Sequence, residues 1–347
     1  MADLALLESV AELPREEWNA LVGDASPFLE WEWLASLEES GCVGGRTGWA
    51  PRPLVARESG RLVAACPLYV KGNSEGEFVF DWGWADAAQR AGIAYYPKLL
   101  VGVPFSPVTG ARFLTAPGED RPAWLRRFAG ALQEICSGND LSSVHVNFLL
   151  PDEREALEGA GFLVRSGFQY HWRNRAFGSF DDYLASLTSK RRNQAKRERR
   201  ELGEQGVAVD ALSGAALGDD QFDPMFEIYR TTVSNNPWGR QYLNRELFHL
   251  LRERWKHRLC FMRARVGEEL VAGTINVQKG DALYGRYWGA LRPMRHLHFN
   301  VCYYAGIAHC IAHGLARFLE AERRKVDHTL AWYAEHSANR RETPGED

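Results

Sequence analysis

One stretch of this chain occurs twice, and that repeat limits its fold more than any other feature. Ala56-Arg57, Leu62-Val63-Ala64 and Lys71 recur as Ala264-Arg265, Leu270-Val271-Ala272 and Lys279, each displaced by 208 positions without a gap. Both stretches read as β-hairpins, with Glu58-Ser59-Gly60-Arg61 and Val266-Gly267-Glu268-Glu269 as their loops. Further landmarks follow in the same order. They are Trp82-Gly83 and Trp288-Gly289, then Tyr95-Tyr96 and Tyr303-Tyr304. Upstream, Phe28-Leu29, Glu32 and Leu37 match Tyr242-Leu243, Glu246 and Leu251 at a displacement of 214. A chain of 347 residues exceeds an ordinary domain, and the repeat makes it two copies of one mixed domain.

Each copy is expected to run helix, hairpin, further strand and aromatic segment. Copy one continues with an amphipathic helix, Arg121–Ser137, then an alternating strand at Ser143–Leu149. A short helix at Asp152–Gly159 and one or two strands over Phe162–Trp172 complete it. Copy two has a helix over Tyr304–Leu315 that runs into a second helical stretch, Phe318–Ala334. No segment there answers to the closing strands of copy one, so copy two is read as lacking its last strands. The fold class expected is mixed α/β (α+β), a tandem of two such domains.

Four segments result: a first domain over 1–175, a linker helix with a basic stretch over 176–205, a second domain over 206–336, and a disordered tail over 337–347. In the linker, Ser179 and Asp182 form a capping pattern, and Phe180, Tyr183, Leu184 and Leu187 share an apolar face. Residues 190–200 hold seven basic residues and one acid, spread around the helix, which predicts no packed side.

Composition excludes some classes. A net charge of −3 is not that of a nucleic-acid-binding polycation. No apolar run approaches the ~20 residues of a membrane-spanning helix, and the N-terminus lacks the pattern of a signal peptide. Six cysteines without a Cys-x-x-Cys pair read as thiols of a reducing cytoplasm.

Several stretches resemble a known family. They are Gly76–Ala85 (GEFVFDWGWA), Tyr95–Leu100 (YYPKLL), Pro104–Leu114 (PFSPVTGARFL), Phe168–Asn174 (FQYHWRN), Leu283–Gly289 (LYGRYWG) and His296–Tyr304 (HLHFNVCYY). Together they resemble the FemAB-like proteins of peptidoglycan biosynthesis or recognition. The family's members are described as N-acyltransferases of the GNAT superfamily with two such domains. The resemblance implies a tandem GNAT-like fold from Phe28 to about Phe318. Two positions depart from the family: Asn300 stands where an acid is usual and Ala305 where a Gln is usual. A Gly-Ala-Gln-Gly-Glu-His-Lys segment usual after Phe318 is missing, and the following residues resemble the family's final helix. An internal deletion accounts for both observations.

An N-acyltransferase must hold an activated acyl donor, deprotonate an amine and stabilise an oxyanion. His298 and Asp81 are the candidate catalytic residues. On the LYGRYW strand, Tyr284, Arg286 and Trp288 are expected on one face, where they line a ligand groove or serve the core. In copy one, Trp82, Trp84 and Lys98 are the candidate substrate-binding residues, and Asp81 is expected at the end of a Phe78-Val79-Phe80 strand. His296 and His145 read better as structural residues. His309 and His313 stand four apart, but residue 310 is Cys, and no metal site is assigned. Neither copy shows the Gly-rich loop that would cradle the pyrophosphate of acetyl-CoA. No cofactor is firmly implied, and the donor stays open between aminoacyl-tRNA and acyl-CoA. Lys190, Arg191, Arg192 and Lys196 suit an RNA backbone, or else form a solvated helix.

The function expected is transfer of an acyl or aminoacyl group to an amine on a small molecule or peptidoglycan precursor, in the cytoplasm, with tRNA as a possible donor and no membrane insertion. The alternatives are a recognition protein without turnover on the same fold, and a defective product of the deletion.

Overall fold

A computed structural model of the protein describes residues 3–79, 81–167, 169–234, 240–320 and 327–333, with the backbone alone at 234, 320 and 327–333. The chain divides into two compact units. Unit 1 holds residues 1–168 and 326–347, and unit 2 holds 169–325.

Unit 1 begins with β1 (Asp3–Leu6), α1 (Arg15–Val22), α2 (Trp31–Glu39), β2 (Trp49–Pro51), β3 (Leu54–Glu58), β4 (Arg61–Cys66) and β5 (Leu68–Lys71). It continues with α3 (Trp82–Arg90), β6 (Lys98–Val101), β7 (Leu114–Thr115), α4 (Arg121–Gly138), β8 (Ser143–Asn147), α5 (Pro151–Gly159) and β9 (Leu163–Gly167). In unit 2 come β10 (Tyr170–Arg173), α6 (Phe180–Ala185), α7 (Ser189–Glu204), β11 (Val207–Ser213), α8 (Phe222–Ser234), α9 (Arg245–Arg254), β12 (Leu259–Val266), β13 (Glu269–Lys279) and β14 (Ala282–Ala290). A π-helical stretch (Phe299–Tyr304), α10 (Ala305–Ala312) and β15 (Arg317–Glu320) follow, and β16 (Asp327–Tyr333) belongs to unit 1.

The repeated hairpin is reproduced down to its irregularity. β3 pairs with β4 and β12 with β13, and each ladder shifts register at the same place, Ala56/Arg57 and Ala264/Arg265. β13 spans the positions that β4 and β5 cover in copy one. Pro67 interrupts the first of these, because proline cannot donate to a ladder. At the matching place β13 carries a second register shift, between Ile275 and Asn276. The helix starts also match, since α2 begins at Trp31 and α9 at Arg245.

Two landmarks of the sequence comparison do not occupy matching places. Trp82-Gly83 opens α3 and Tyr95-Tyr96 precedes β6, whereas Trp288-Gly289 ends β14 and Tyr303-Tyr304 follows it. Copy one inserts α3 between its hairpin and the next strand. This insertion restores the numerical spacing without structural equivalence.

Unit 1 has a four-stranded sheet, β1-β3-β4-β7, and a six-stranded one, β2-β5-β6-β8-β16-β9. Its core packs Phe113, Trp124, Phe128 and Leu132 against Val63, Leu99, Val144 and Val146. Arg112, fully buried, pins the PFSPVTGARFL loop. Its guanidinium donates to the carbonyls of Val108, Gly110, Ala111 and Asn147 at 2.6–3.1 Å. Unit 2 has one six-stranded sheet, β10-β15-β14-β13-β12-β11. α8 packs against β13 and β14, while α7, the π-helical stretch and α10 share a core with the sheet through Leu202, Leu297, Val301 and Ile307.

The C-terminal region differs from the expected helix over Phe318–Ala334. Arg317–Glu320 is β15, parallel to β14, and Asp327–Tyr333 is β16, inserted antiparallel between β8 and β9. Each copy's last strand pairs in the other unit's sheet. β10 pairs with β15 so that Trp172 stands opposite Phe318, and β16 pairs with β8 so that Trp332 stands opposite Val144. Copy two therefore keeps a closing strand. Among the described residues, α5 and β9 lack a counterpart. The tail expected from residue 337 lies outside the described residues.

α7 also corrects an expectation. Ala195, Glu198 and Leu202, spaced along one face, are buried, so the basic helix does have a packed side. Residues 78 and 79 form no strand, and Asp81 stands instead at the N-terminus of α3.

Candidate functional site

Unit 1 buries an ionic cluster beside α3. Strand pairing sets Lys71 of β5 opposite Lys98 of β6, and both ammonium groups are withdrawn from water. Lys98 Nζ lies 2.7 Å from Asp81 Oδ2 and 3.1 Å from Glu77 Oε2. The Tyr95 hydroxyl donates to the same Asp81 oxygen at 2.7 Å. Burial alone would raise the Asp81 carboxyl. The Lys98 ammonium and these hydrogen bonds outweigh burial and hold it at about 2. Glu77 goes the other way, because burial raises it more than Lys98 lowers it. A carboxyl held at about 2 is a counter-ion, and in this geometry Asp81 orients Lys98 and Tyr95.

Lys71 has weaker partners. Its Nζ sits 3.7 Å from the centroid of the Trp49 ring and donates to the Glu75 carbonyl at 3.1 Å. Burial drives it down to about 7, with attraction to Glu77 opposing the fall and Lys98 adding to it. His145 of β8, also buried, is held well below its ordinary value by burial and by the Lys98 ammonium. Among the described residues, Glu77, Asp81 and His145 form the only group of three ligand-type side chains close enough to share a cation. Lys98 already occupies that place, and a metal would have to displace it.

α3 stands above this cluster with no buried residue, and Trp82 and Trp84 are 57% and 54% exposed. A groove opens on each side. One, of about 650 Å³, is lined by Asn73, Glu75, Trp82, Asp86, Tyr95 and Tyr96 among others. The other, of about 540 Å³, is lined by Trp84, Ala87, Ala88, Ile93 and Tyr95. Tyr95 lines both grooves and is tied to Asp81, so the buried cluster fixes a wall of each. The structure thus brings Asp81, Trp82, Trp84 and Lys98 into one region. Sequence reading did not assign Glu77, Tyr95 or the Lys71 environment to it. The available signal was a charge inside an apolar run, as in LYVK and GEFVF.

In unit 2 the three residues expected on one strand face are divided. The register shift makes Arg286 the extra residue of a bulge, which exchanges faces beyond it. Tyr284 stands opposite Val277 and Tyr287 opposite Ile275, and Tyr287 meets Tyr229 of α8 at 5.1 Å between centroids. Trp288 lies on the other face, where its ring meets exposed His298 edge-on at 4.9 Å. Tyr303 completes this group, 5.7 Å from His298. Arg286 lies over the Tyr287 ring at 5.1 Å.

Other expected residues have structural surroundings. His296 Nε2 contacts Glu201 at 2.9 Å. The Asn300 amide donates to the carbonyls of His296 and Glu198 at 2.9 and 3.3 Å. An acid at position 300 could only accept, so Asn suits this spot. His309, held at about 4 by burial and by His313, contacts Gln278 at 3.1 Å. On α7, Lys190, Arg191 and Lys196 face solvent. Arg192 is half-buried and donates to the Ala185 carbonyl at 3.2 Å.

The mixed α/β fold, with its helix and irregular hairpin repeated in both units, is that of a tandem GNAT-like protein. The chain belongs to the FemAB-like family of peptidoglycan biosynthesis and recognition, whose sequence profile matches residues 9–323. A search against curated proteins finds no match. Among solved structures, the chain is similar to FemX, with 10% identity, coverage of 90% of this chain and 88% of that one, and a TM-score of 0.52. It is similar to L-PGS from Bacillus licheniformis at 9% identity, 94% and 93% coverage and TM-score 0.53. A conserved protein of unknown function from Bacteroides thetaiotaomicron matches at 10% identity, 96% and 100% coverage and TM-score 0.57. At such identities these likenesses concern the fold. Among the described residues, no helix is long and apolar enough to cross a membrane.

Proposed function

We propose that the protein is an N-acyltransferase that transfers an acyl or aminoacyl group to an amine of a peptidoglycan precursor in the cytoplasm, with the precursor held beside α3. The observation that carries this reading is the lining of the larger groove. Aromatic faces of Trp82, Tyr95 and Tyr96 stand with the acidic residues Glu75 and Asp86. Aromatic rings take sugar faces and cations, and carboxylates take an ammonium. Lys98 and Asp81 act from below by fixing Tyr95, and Trp84 extends the apolar surface.

Amide formation joins the amine nitrogen to the donor's carbonyl carbon, releases the donor's oxygen or sulfur, and requires a base for the amine proton. In unit 2, exposed His298, braced by Trp288, has the chemistry of a proton acceptor. Tyr284 and Arg286 are assigned supporting places on β14, in keeping with their burial and ring contact. For the donor, an aminoacyl-tRNA fits the outward Lys190, Arg191 and Lys196 of α7, with Arg192 beside them.

Recognition without turnover is the second reading. It is favoured by the missing counterpart of α5 and β9 and by Asn300, whose donated hydrogen bonds leave no acid there. Incubation of the full chain with labelled aminoacyl-tRNA or acyl-CoA and a precursor separates the two. Label recovered in an amide on the precursor is the expected result. Precursor binding with no label moved by either donor favours recognition, and absence of both contradicts the two readings together.

A further inference from the structure

Residues 82–94 carry α3 and form a continuous stretch in which no residue is buried, set between buried Asp81 and buried Tyr95. Those two neighbours are bonded to each other, the Tyr95 hydroxyl donating to Asp81 Oδ2 at 2.7 Å. The ends of the stretch therefore meet at one point. Lys98 Nζ, 2.7 Å from the same oxygen, ties that point to β6. Surface segments of this length with joined ends are compact units in their own right. The other helices of unit 1, α1, α2, α4 and α5, each bury side chains along one face.

Backbone bonds hold the stretch together internally. The Trp84 and Ala85 N–H groups donate to the Asp81 carbonyl at 2.9 and 3.1 Å, and the Ile93 N–H closes the far end of α3 on the Ala88 carbonyl at 2.9 Å. Gly92 makes that closing turn at a φ of 70°, and no atom stands within 4 Å of where a Cβ would be, so the turn is not wedged against the rest of the unit. The two faces of α3 front two grooves. Trp82, Ala85, Asp86 and Gln89, at helical spacing, line the larger one, and Trp84, Ala87 and Ala91 line the smaller. Across the larger groove stand Asn73, Glu75 and Tyr96. A movement that brings α3 against that far wall takes the Trp82 ring out of water, which favours it.

We propose that residues 82–94 are a lid, which pivots on the Asp81–Tyr95 pair and closes α3 across the larger groove. This rests on the larger groove being the ligand site. Closing breaks little packing, because the stretch has no buried side chain to withdraw. Asp81, Tyr95 and Lys98 stay in place beneath it as the fixed base. Trp82 covers the bound ligand, and the closed groove shuts water out.

The pair Asn73→Cys and Gln89→Cys puts one thiol on each wall of the larger groove, while the six native thiols are buried. In a glutathione buffer the introduced thiols are expected to join in the full chain, since closure brings the walls within the ~6 Å between Cα atoms that a disulfide spans. Circular dichroism checks that the reduced pair is folded, and Glu75→Cys with Asp86→Cys is the second pair if the first unfolds. In protein carrying 5-fluorotryptophan, the Trp82 resonance is assigned by its loss in Trp82→Phe. Linking is expected to abolish its response to a soluble paramagnetic agent, and reduction to restore it. A soluble muramyl pentapeptide is expected to bind the linked form about tenfold more weakly than the reduced form, because the shut groove admits no ligand. A pair that stays unlinked while both thiols react with a maleimide overturns the lid, as does a link that leaves Trp82 in water. Failure of the pentapeptide to bind the reduced form contradicts the reading of the groove instead, and the lid then stands on the link and the Trp82 resonance.

Discussion

Two lysines with facing places on adjacent strands have opposite fates. Lys98 spends its charge on Glu77 and Asp81. Lys71 has an indole face and one carbonyl, and burial holds it at about 7 against an ordinary 10.5. The folded-state value lies below the unfolded one. Between about pH 7 and pH 10.5 the unfolded chain therefore keeps a proton that the folded protein has released, and this group's contribution to stability grows with pH across that window. Lys71→Met lacks the contribution. Its stability relative to wild type is expected to fall by on the order of 3 kcal/mol from pH 7 to pH 10. Urea unfolding of both proteins across the range checks this, and a pH-independent difference would count against a Lys71 that gives up its proton near pH 7 in the folded protein. At this scale the sequence was partly legible. Asp81, Trp82, Trp84 and Lys98 could be singled out by type and motif. Glu77 and Tyr95 could not, because their bonds reach Lys98 and Asp81 over 21 and 14 residues and have no local signature.

Among the elements, the hairpins were the most legible, since strand pairing across a two-residue turn is local. The exchanged last strands were the least. β10 has four residues and β16 seven, and each pairs with a strand of the other copy, so no neighbouring segment marks them. The stretch LEAERRKVDHTLAWY is rich in helix formers, and over Asp327–Tyr333 that local preference gives way to the sheet position between β8 and β9. On α7 the abundance of charge hid a narrow buried face of Ala195, Glu198 and Leu202. The exchange has a measurable consequence. Among the described residues β9 pairs with β16 alone, so a chain ending at residue 325 leaves β9 without that ladder and strips one side of β8. Hydrogen exchange of the truncated protein is expected to lose amide protection over Leu163–Gly167 and to weaken it over Ser143–Asn147. Unchanged protection at β9 would contradict the strand order.

At the scale of the whole molecule, a duplicated fold was legible from one hairpin. The sequence also led to the expectation of a deletion after Phe318, and among the described residues that region shows no counterpart of α5 and β9. It could not show that the last strand survives that deletion, nor that a bulge at Arg286 separates Tyr284 from Trp288. The grooves beside α3 are proposed to receive the peptidoglycan precursor, whether turnover follows or not. Titration calorimetry of a precursor into wild type, Trp82→Ala and Trp288→Ala tests this most directly. Trp82 is exposed, so its loss leaves the fold intact. Binding by the wild type, weakened about tenfold or more by Trp82→Ala and little changed by Trp288→Ala, is the predicted result. Undiminished binding by Trp82→Ala, with the loss falling on Trp288→Ala instead, would contradict it.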